Sequence, residues 1–431
     1  MDRRNFLKIS AAGAVILPAF PDALASALGN NPSLSASGVV TEPAREIPVV
    51  ASVDVLVAGG GPSGVAAAIC AAREGASVLV VERYAFLGGL WTGGLVLPVL
   101  NTYGMNKSGA QECCIGGFSA ELCNRLFDMG MAVNRKEPTV DPEAAKYVME
   151  QMMQDAGVQL LYNATVSQVV MSGDRIDAAI IESKAGRIAV KAKMFVDGSG
   201  DGDLIAFSGE EFDTMKYHIG AMWRVGGLAD SFKKGRKTPI PGVRVMHTGG
   251  ENDKDGLDAF ENTRLWMRIR KKMWEDTQAL HNTPGGENAF LLESPPQIGV
   301  RVTRMLKAVK RLSLEETMTG AVHTDVIGMS GGSYKIEYKG GVVPSDKRPI
   351  WQIPYSALLP KRVENLIVAG RCFGFDRELA YDAREIGTCF VTGQAAGVAV
   401  AQAISDRSGV RDIDIEKLQS TLRKQGALLK L

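Results

Sequence analysis

Val53-Asp54-Val55-Leu56-Val57-Ala58-Gly59-Gly60-Gly61-Pro62-Ser63-Gly64 opens as an apolar run without helical period and stops at a cluster of glycines. Such a run reads as a buried parallel strand. The Ala-rich stretch Gly64 to Glu74 closes at Gly75, as a helix with a glycine past its end does, and Ser77 to Val81 is a second strand ending at Glu82. In this strand–turn–helix–strand setting Gly59, Gly61 and Gly64 make G-x-G-x-x-G. The first glycine permits the tight turn, the second lets backbone amides approach a pyrophosphate, and the third lets helix and strand pack closely. Anionic oxygens then meet the positive end of the helix. Glu82, 18 residues beyond Gly64, stands where a carboxylate accepts hydrogen bonds from an adenosine ribose. The unit therefore predicts a dinucleotide site.

Arg83 follows, then a second glycine-rich stretch, Gly88-Gly89-Leu90-Trp91-Thr92-Gly93-Gly94, which suits a cofactor longer than NAD. Toward the carboxyl end Asn365-Leu366-Ile367-Val368-Ala369-Gly370-Arg371 is another strand stopping at glycine. Gly387-Thr388 and the small-residue helix around Thr392-Gly393-Gln394-Ala395-Ala396-Gly397 come next. Together these stretches resemble the FAD-dependent oxidoreductases of the glutathione-reductase-like flavin fold, in the branch that carries GG-x-x-TGG and closes with GRC and GQAAG. Lys193 to Asp203, Ile298 to Arg304 and Trp351 to Tyr355 also look like that family, and the resemblance runs from about Val53 to Ala403.

The resemblance implies an α/β fold: a three-layer ββα Rossmann-like FAD-binding domain, discontinuous in sequence, with an inserted substrate or cap domain. It implies that Gly59, Gly61, Gly64, Glu82 and Arg83 hold the ADP half, with Gly89 and Thr92 along the ribityl chain. Val166 would serve the adenine and Asp201 the pyrophosphate region, while Gly370, Arg371, Gly387 and Thr388 would line the flavin.

Asp141-Pro142-Glu143 starts a helix that Gly157 ends. Val158 to Tyr162, Ala164 to Met171, Arg175 to Glu182 and Arg187 to Ala192 read as short strands, the last three forming a meander. The expected domains are residues 48–209 with 349–431 for the flavin and 210–348 for the cap. The cap would hold all four histidines, a helix from Leu257 to Ala279 and a hairpin around Gly331-Gly332.

Two domains suit a chain of 431 residues, since single cores stop growing at roughly 250–300. A net charge of +1 with no block of like charge argues against nucleic-acid binding. The longest apolar run read from the sequence, Ile9 to Phe20, falls short of a membrane span. Six cysteines without Cys-x-x-Cys spacing supply neither a disulfide scaffold nor an iron–sulfur or zinc ligand set, so no metal is expected.

At the amino end Arg3-Arg4-Asn5-Phe6-Leu7-Lys8, an apolar run and Ala-x-Ala sites follow in the order of an export signal. The segment resembles a twin-arginine signal, with Asp2 where that pattern has Ser or Thr. Residues 1–27 are the expected signal, 28–47 a leader, and the periplasm the expected location.

A flavin carries the redox chemistry, so the protein must bind substrate and move a proton. Arg384 either clamps a carboxylate or pairs with Asp382 or Glu385 to fix its loop. The resemblance makes Arg301 and Arg304 pocket residues. His323, His218 and Tyr381 are candidates for proton transfer. The expected function is an exported FAD-dependent oxidoreductase of a small organic substrate that passes electrons to quinone, cytochrome or oxygen. The alternatives are an ene reductase of an unsaturated acid, similar to fumarate reductase flavoproteins, and a flavin-binding protein without net turnover.

Overall fold

In the computed structural model, residues 42–430 are described. The expected signal and most of the expected leader lie outside them. Strand β1 (Val49–Ala58) runs through the β-branched stretch and ends at Gly59, whose φ of +94° turns the chain. Helix α1 (Pro62–Arg73) follows, with proline at its first turn. A Cβ on Gly64 would sit 1.9 Å from the Gly59 carbonyl oxygen, so only glycine lets helix and turn close. Strand β2 (Val78–Glu82), helix α2 (Pro142–Asp155) and strand β3 (Gln159–Tyr162) continue the parallel layer. The meander β4 (Thr165–Ser172) and β5 (Arg175–Ser183) leads into β6 (Gly186–Asp197).

The sheet order is β3-β2-β1-β6-β5-β4. The sequence reading stopped the last meander strand at Ala192 and began a new strand at Lys193. One 12-residue strand spans both, because β1 pairs with it in parallel from Ala189 through to Asp197. Val55 and Val57 of β1 face the helices, while Leu56 and Ala58 face the other way and pack with Val166, Val169 and Ile181 of the meander. Helices, parallel strands and meander are the three layers of a Rossmann-like fold.

A second, antiparallel sheet comes from β7 (Tyr217–Gly226), β8 (Arg236–Lys237), β9 (Arg244–Lys254), β10 (Phe290–Glu293) and β11 (Gly299–Val300). The order is β8-β9-β7-β10, with β11 also on β7. Helix α3 (Ala259–Ala279), capped by Asp258, packs Leu265, Ile269 and Met273 on the face of β7 that carries Ile219, Trp223 and Val225. The hairpin expected at Gly331-Gly332 turns instead at Lys339-Gly340, where both residues have positive φ. Residues 326–330 pair with 351–354, straddling the expected boundary at 348–349.

The chain returns to the first sheet with β12 (Leu366–Val368), parallel to the end of β6, and α4 (Ile386–Asp406). Helix α4 packs on α1: a Cβ on Gly393 or Gly397 would lie 2.2 Å from the Ser63 or Ala67 carbonyl oxygen. Its small residues thus serve helix–helix contact as well as the approach to the sheet. Among the described residues α4 is long and apolar enough to cross a bilayer, a run the sequence reading passed over for Ile9 to Phe20; its apolar window is wholly buried within the protein. Residues 47–431 form one compact unit.

Candidate active site

The carboxyl ends of β1, β2 and β6 and the amino end of α1 enclose a groove with about 800 Å3 of space, counting what is open to solvent. Gly59, Gly61, Glu82, Arg83, Gly89, Val166, Gly200, Arg371, Arg384 and Cys389 are among its walls. No side chain caps α1 and no acid stands in its first turn, which leaves amides at its positive end for an anion. A Cβ on Gly61 would meet no protein atom closer than 3.9 Å, so the space beside it belongs to the groove.

Glu82 is 5 % exposed and accepts the Gly60 amide at 2.7 Å and the Tyr84 amide at 2.9 Å. Burial pushes its carboxyl up, and those amides with Arg83 pull it back. A carboxylate held in this way keeps lone pairs for ribose hydroxyls. The glycine cradle, the open amides and the positioned acid fit the ADP half of FAD.

Asp201 does not line the groove. It joins the arginines that do: it accepts Arg371 Nη2 at 2.6 Å and Arg83 Nη2 at 3.2 Å, together with the Thr303 hydroxyl at 3.0 Å. Burial alone would raise its carboxyl, but Arg371 and Arg83 hold it below the usual carboxylate range. Gly64 is spent on the closure of α1 against the turn. Thr92 is fully buried with its hydroxyl donated to the Leu87 carbonyl. Gly370, at the end of β12, leaves room for the Ser63 hydroxyl, and Gly387 for the Leu100 carbonyl. The Thr388 hydroxyl donates to the Asp382 carbonyl at 3.2 Å and meets Ser330 at 2.8 Å. Ile386 and Cys389, their neighbours on α4, reach the groove instead.

A second cavity of about 1190 Å3, counted in the same way, adjoins the groove, and Leu90 and Arg384 line both. Arg301, Arg236, His247, Tyr334, Met222 and the glycine backbone of β7 and β11 are among its other walls. Arg384 pairs with Glu385 at 3.3 Å, and its Nε has no partner. It therefore makes the ion pair and also faces both cavities. Burial works against its charge, but Glu385, Tyr334 and Tyr217 together more than offset that, so it stays protonated. Arg301 has no hydrogen bond or ion pair among the described residues, and burial followed by the Arg384 charge disfavours its cationic form. His218, with its Nδ1 unpartnered, is held at about 4 by burial and by Arg301, His247 and Arg384. Burial and Arg301 lower His247 as well. The cavity wall is short of negative charge.

His218 lines neither cavity, and three more expected residues stand elsewhere. Arg304 donates to the Asp201 carbonyl at 2.9 Å and pairs with Asp203 at 3.3 Å, which makes it part of the seam beside the groove. His323 packs against Lys310 Nζ at 3.2 Å and lines neither cavity. Tyr381 is 42 % exposed, its ring 5.5 Å from both Tyr217 and Tyr334, and it too lies outside both cavities. The sequence reading missed Tyr334 and His247. A count of only four histidines was signal enough for His247; Tyr334 follows an irregular loop with no spacing to mark it.

The sequence pattern of the FAD-dependent oxidoreductase family matches residues 54–225 and 211–422. Thiamine thiazole synthase of Methanococcus vannielii is 30 % identical over 206 residues, covering 45 % of this chain and 74 % of that enzyme. The enzyme of that name from Methanococcus maripaludis is 28 % identical over 160 residues, covering 35 % of this chain and 57 % of its own. A solved structure of a geranylgeranyl bacteriochlorophyll reductase-like protein from Thermoplasma acidophilum aligns over 86 % of this chain and 82 % of its own, at 14 % identity and a TM-score of 0.45. The groove geometry and the match over most of the chain place this protein in the FAD-dependent oxidoreductase family, with FAD as its cofactor.

Proposed function

We propose that this enzyme is an exported oxidoreductase that moves a hydride between a small organic acid and its flavin, then passes electrons to a quinone, a cytochrome or oxygen. The observation that carries this reading is the unpartnered Arg301 guanidinium in a cavity that shares Arg384 with the cofactor groove. Arg301 is half-buried with no carboxylate partner among the described residues, so its charge is only partly solvated and an anionic ligand would complete its contacts. Arg301 and Arg384 would clamp a carboxylate, and the second sheet would act as the cap that excludes water. Bound FAD supplies the two-electron acceptor. The chain's own part is to hold the ribose at Glu82, leave the amides of α1 to the pyrophosphate, and fix Arg83 and Arg371 through Asp201.

Export rests on Arg3-Arg4-Asn5-Phe6-Leu7-Lys8, and the branch assignment on the glycine-rich loop and the closing GRC and GQAAG stretches. Outside the cytoplasm a nicotinamide partner is absent, and the sequence holds no second G-x-G-x-x-G unit for one. The pair of guanidiniums equally favours a second reading, reduction of an unsaturated acid.

Anaerobic mixing of the FAD-loaded protein with succinate, 2-hydroxy acids and the corresponding neutral alcohols tests the proposal. Bleaching by an acid, with KM raised at least tenfold in Arg301→Gln, is expected. Reoxidation of the reduced protein by fumarate would favour the second reading. Equal bleaching by neutral alcohols, or an Arg301→Gln protein with unchanged KM, would overturn the acid assignment.

A further inference from the structure

Helix α4 begins with an acid at its cap position, yet the Glu385 side chain makes no hydrogen bond to the first-turn amides. Glu385 is 2 % exposed and turns its carboxylate away from the positive end of that helix. Its Oε1 instead accepts the Tyr334 hydroxyl at 3.2 Å and meets Arg384 Nη2 at 3.3 Å. Tyr334 lines the second cavity beside Arg301, and Arg348 Nη1 holds its backbone carbonyl at 3.2 Å. Arg348 is itself locked to Asp382 Oδ2 at 2.6 Å in a pair with 1 % and 0 % of the side chains exposed. A phenol in the cavity wall is thus tied, through one hydrogen bond, to a carboxylate withdrawn from solvent.

We propose that Tyr334 is the residue that moves the substrate's proton and that Glu385 is the buried carboxylate that receives it. The inference rests on the reading of the second cavity as the substrate site. In oxidation the substrate loses a hydride and a proton. The hydride leaves its carbon for the flavin, which the family's activity supplies. The substrate's O–H, or for a saturated acid a C–H beside the carboxylate, breaks toward Tyr334 Oη as the Oη–H bond breaks toward Glu385 Oε1. The substrate gains a double bond, Glu385 ends as the carboxylic acid and Tyr334 is unchanged; reduction runs the same transfers backwards.

The electrostatics agree with this division of roles. Burial pushes the Glu385 carboxyl up, Arg384 and Tyr334 pull it back, Asp382 adds to the rise and Arg301 opposes it. The Tyr334 phenol is pushed up to about 12, first by burial and then by Glu385. Tyr334 therefore does not hold a negative charge at neutral pH and serves as a conduit, with Glu385 as the proton store. A purely structural pair would fix the loop equally well, so the test must read proton transfer.

Tyr334→Phe carries the test, because Glu385→Gln leaves Arg384 without its partner and can disturb folding. In FAD-loaded protein, infrared titration in H2O and D2O should show a protonated-carboxyl band that Tyr334→Phe shifts; Glu385→Gln, wherever it retains FAD, should abolish it. With the acid that bleaches the flavin in the screen above, Tyr334→Phe should lower kcat by roughly 10²–10⁴-fold with KM little changed, and should abolish the solvent isotope effect. A carboxyl band indifferent to Tyr334→Phe overturns the relay whatever the substrate. Unchanged kcat and isotope effect in Tyr334→Phe, with KM still raised in Arg301→Gln, overturn the relay and leave the cavity assignment standing. Failure of every acid to bleach the flavin removes the cavity assignment, and the relay with it.

Discussion

Two glycines of one motif do separate jobs, and alanine tells them apart. At Gly64 a Cβ would stand 1.9 Å from backbone, and neither the helix nor the turn can yield. At Gly61, φ is −70° and the nearest protein atom lies 3.9 Å away. Gly61→Ala should keep the melting temperature of the cofactor-free protein within a few degrees and lose FAD retention on gel filtration. Gly64→Ala should cost several kcal/mol and give little folded protein. Both positions were legible because the motif's spacing carries its mechanism, and so was the place of Glu82 at the groove. Thr92 was not: the resemblance sets it along the ribityl chain, but its hydroxyl goes to the Leu87 carbonyl. Tyr334 and Arg301 meet only after the chain has folded, and no local period records that.

Among the elements, α2 shows a cap doing double duty. Asp141 Oδ1 accepts the Glu143 and Ala144 amides at 3.0 Å each, and Oδ2 accepts Arg224 Nη1 of β7 at 3.0 Å. The second ligand of Arg224 is Glu293 of β10 at 2.6 Å. Asp141→Ala removes the cap, worth about 1 kcal/mol, and leaves a half-satisfied, largely buried guanidinium, so about 2–3 kcal/mol should be lost in urea denaturation. Asp141→Asn, which can still cap, should lose less. The cap was readable from Asp141-Pro142-Glu143; its tie to β7 was not, since 83 residues separate the partners. Strand β6 was cut at Ala192 because a strand's length is set by its partners, and β1 lies far upstream in the chain. The small residues of α4 gave away a close approach without saying that α1 was the neighbour.

For the molecule as a whole, the acids behind the groove set a proton inventory. Asp203 lines the groove, and its carboxyl is raised to about 6 by burial and by the Asp197 and Asp201 charges, against Arg83 and Arg304. Its folded value lies above the unfolded one, so its contribution to stability is full below about 4 and is lost as pH rises through 6. An anionic pyrophosphate nearby deepens the preference for the neutral acid. FAD affinity should therefore fall as pH climbs from 5 to 7, and Asp203→Asn should flatten that dependence in a fluorescence titration. The fold class was readable at this scale because glycine-rich strand ends punctuate both halves of the chain. The exact seam was not, because Arg371, Asp201 and Thr303 join segments about 70 to 170 residues apart. The contact of α1 with the carboxyl-terminal segment has a consequence in time. The Ser63 hydroxyl donates to the Ala369 carbonyl across 306 residues, so the turn that cradles the pyrophosphate leaves the ribosome roughly 15–60 s before the wall that closes on it. Through that interval the nascent sheet carries an uncovered apolar face. Closure of the groove thus waits for residues 369–389, and a folding helper would have to hold the amino-terminal half until synthesis is nearly over.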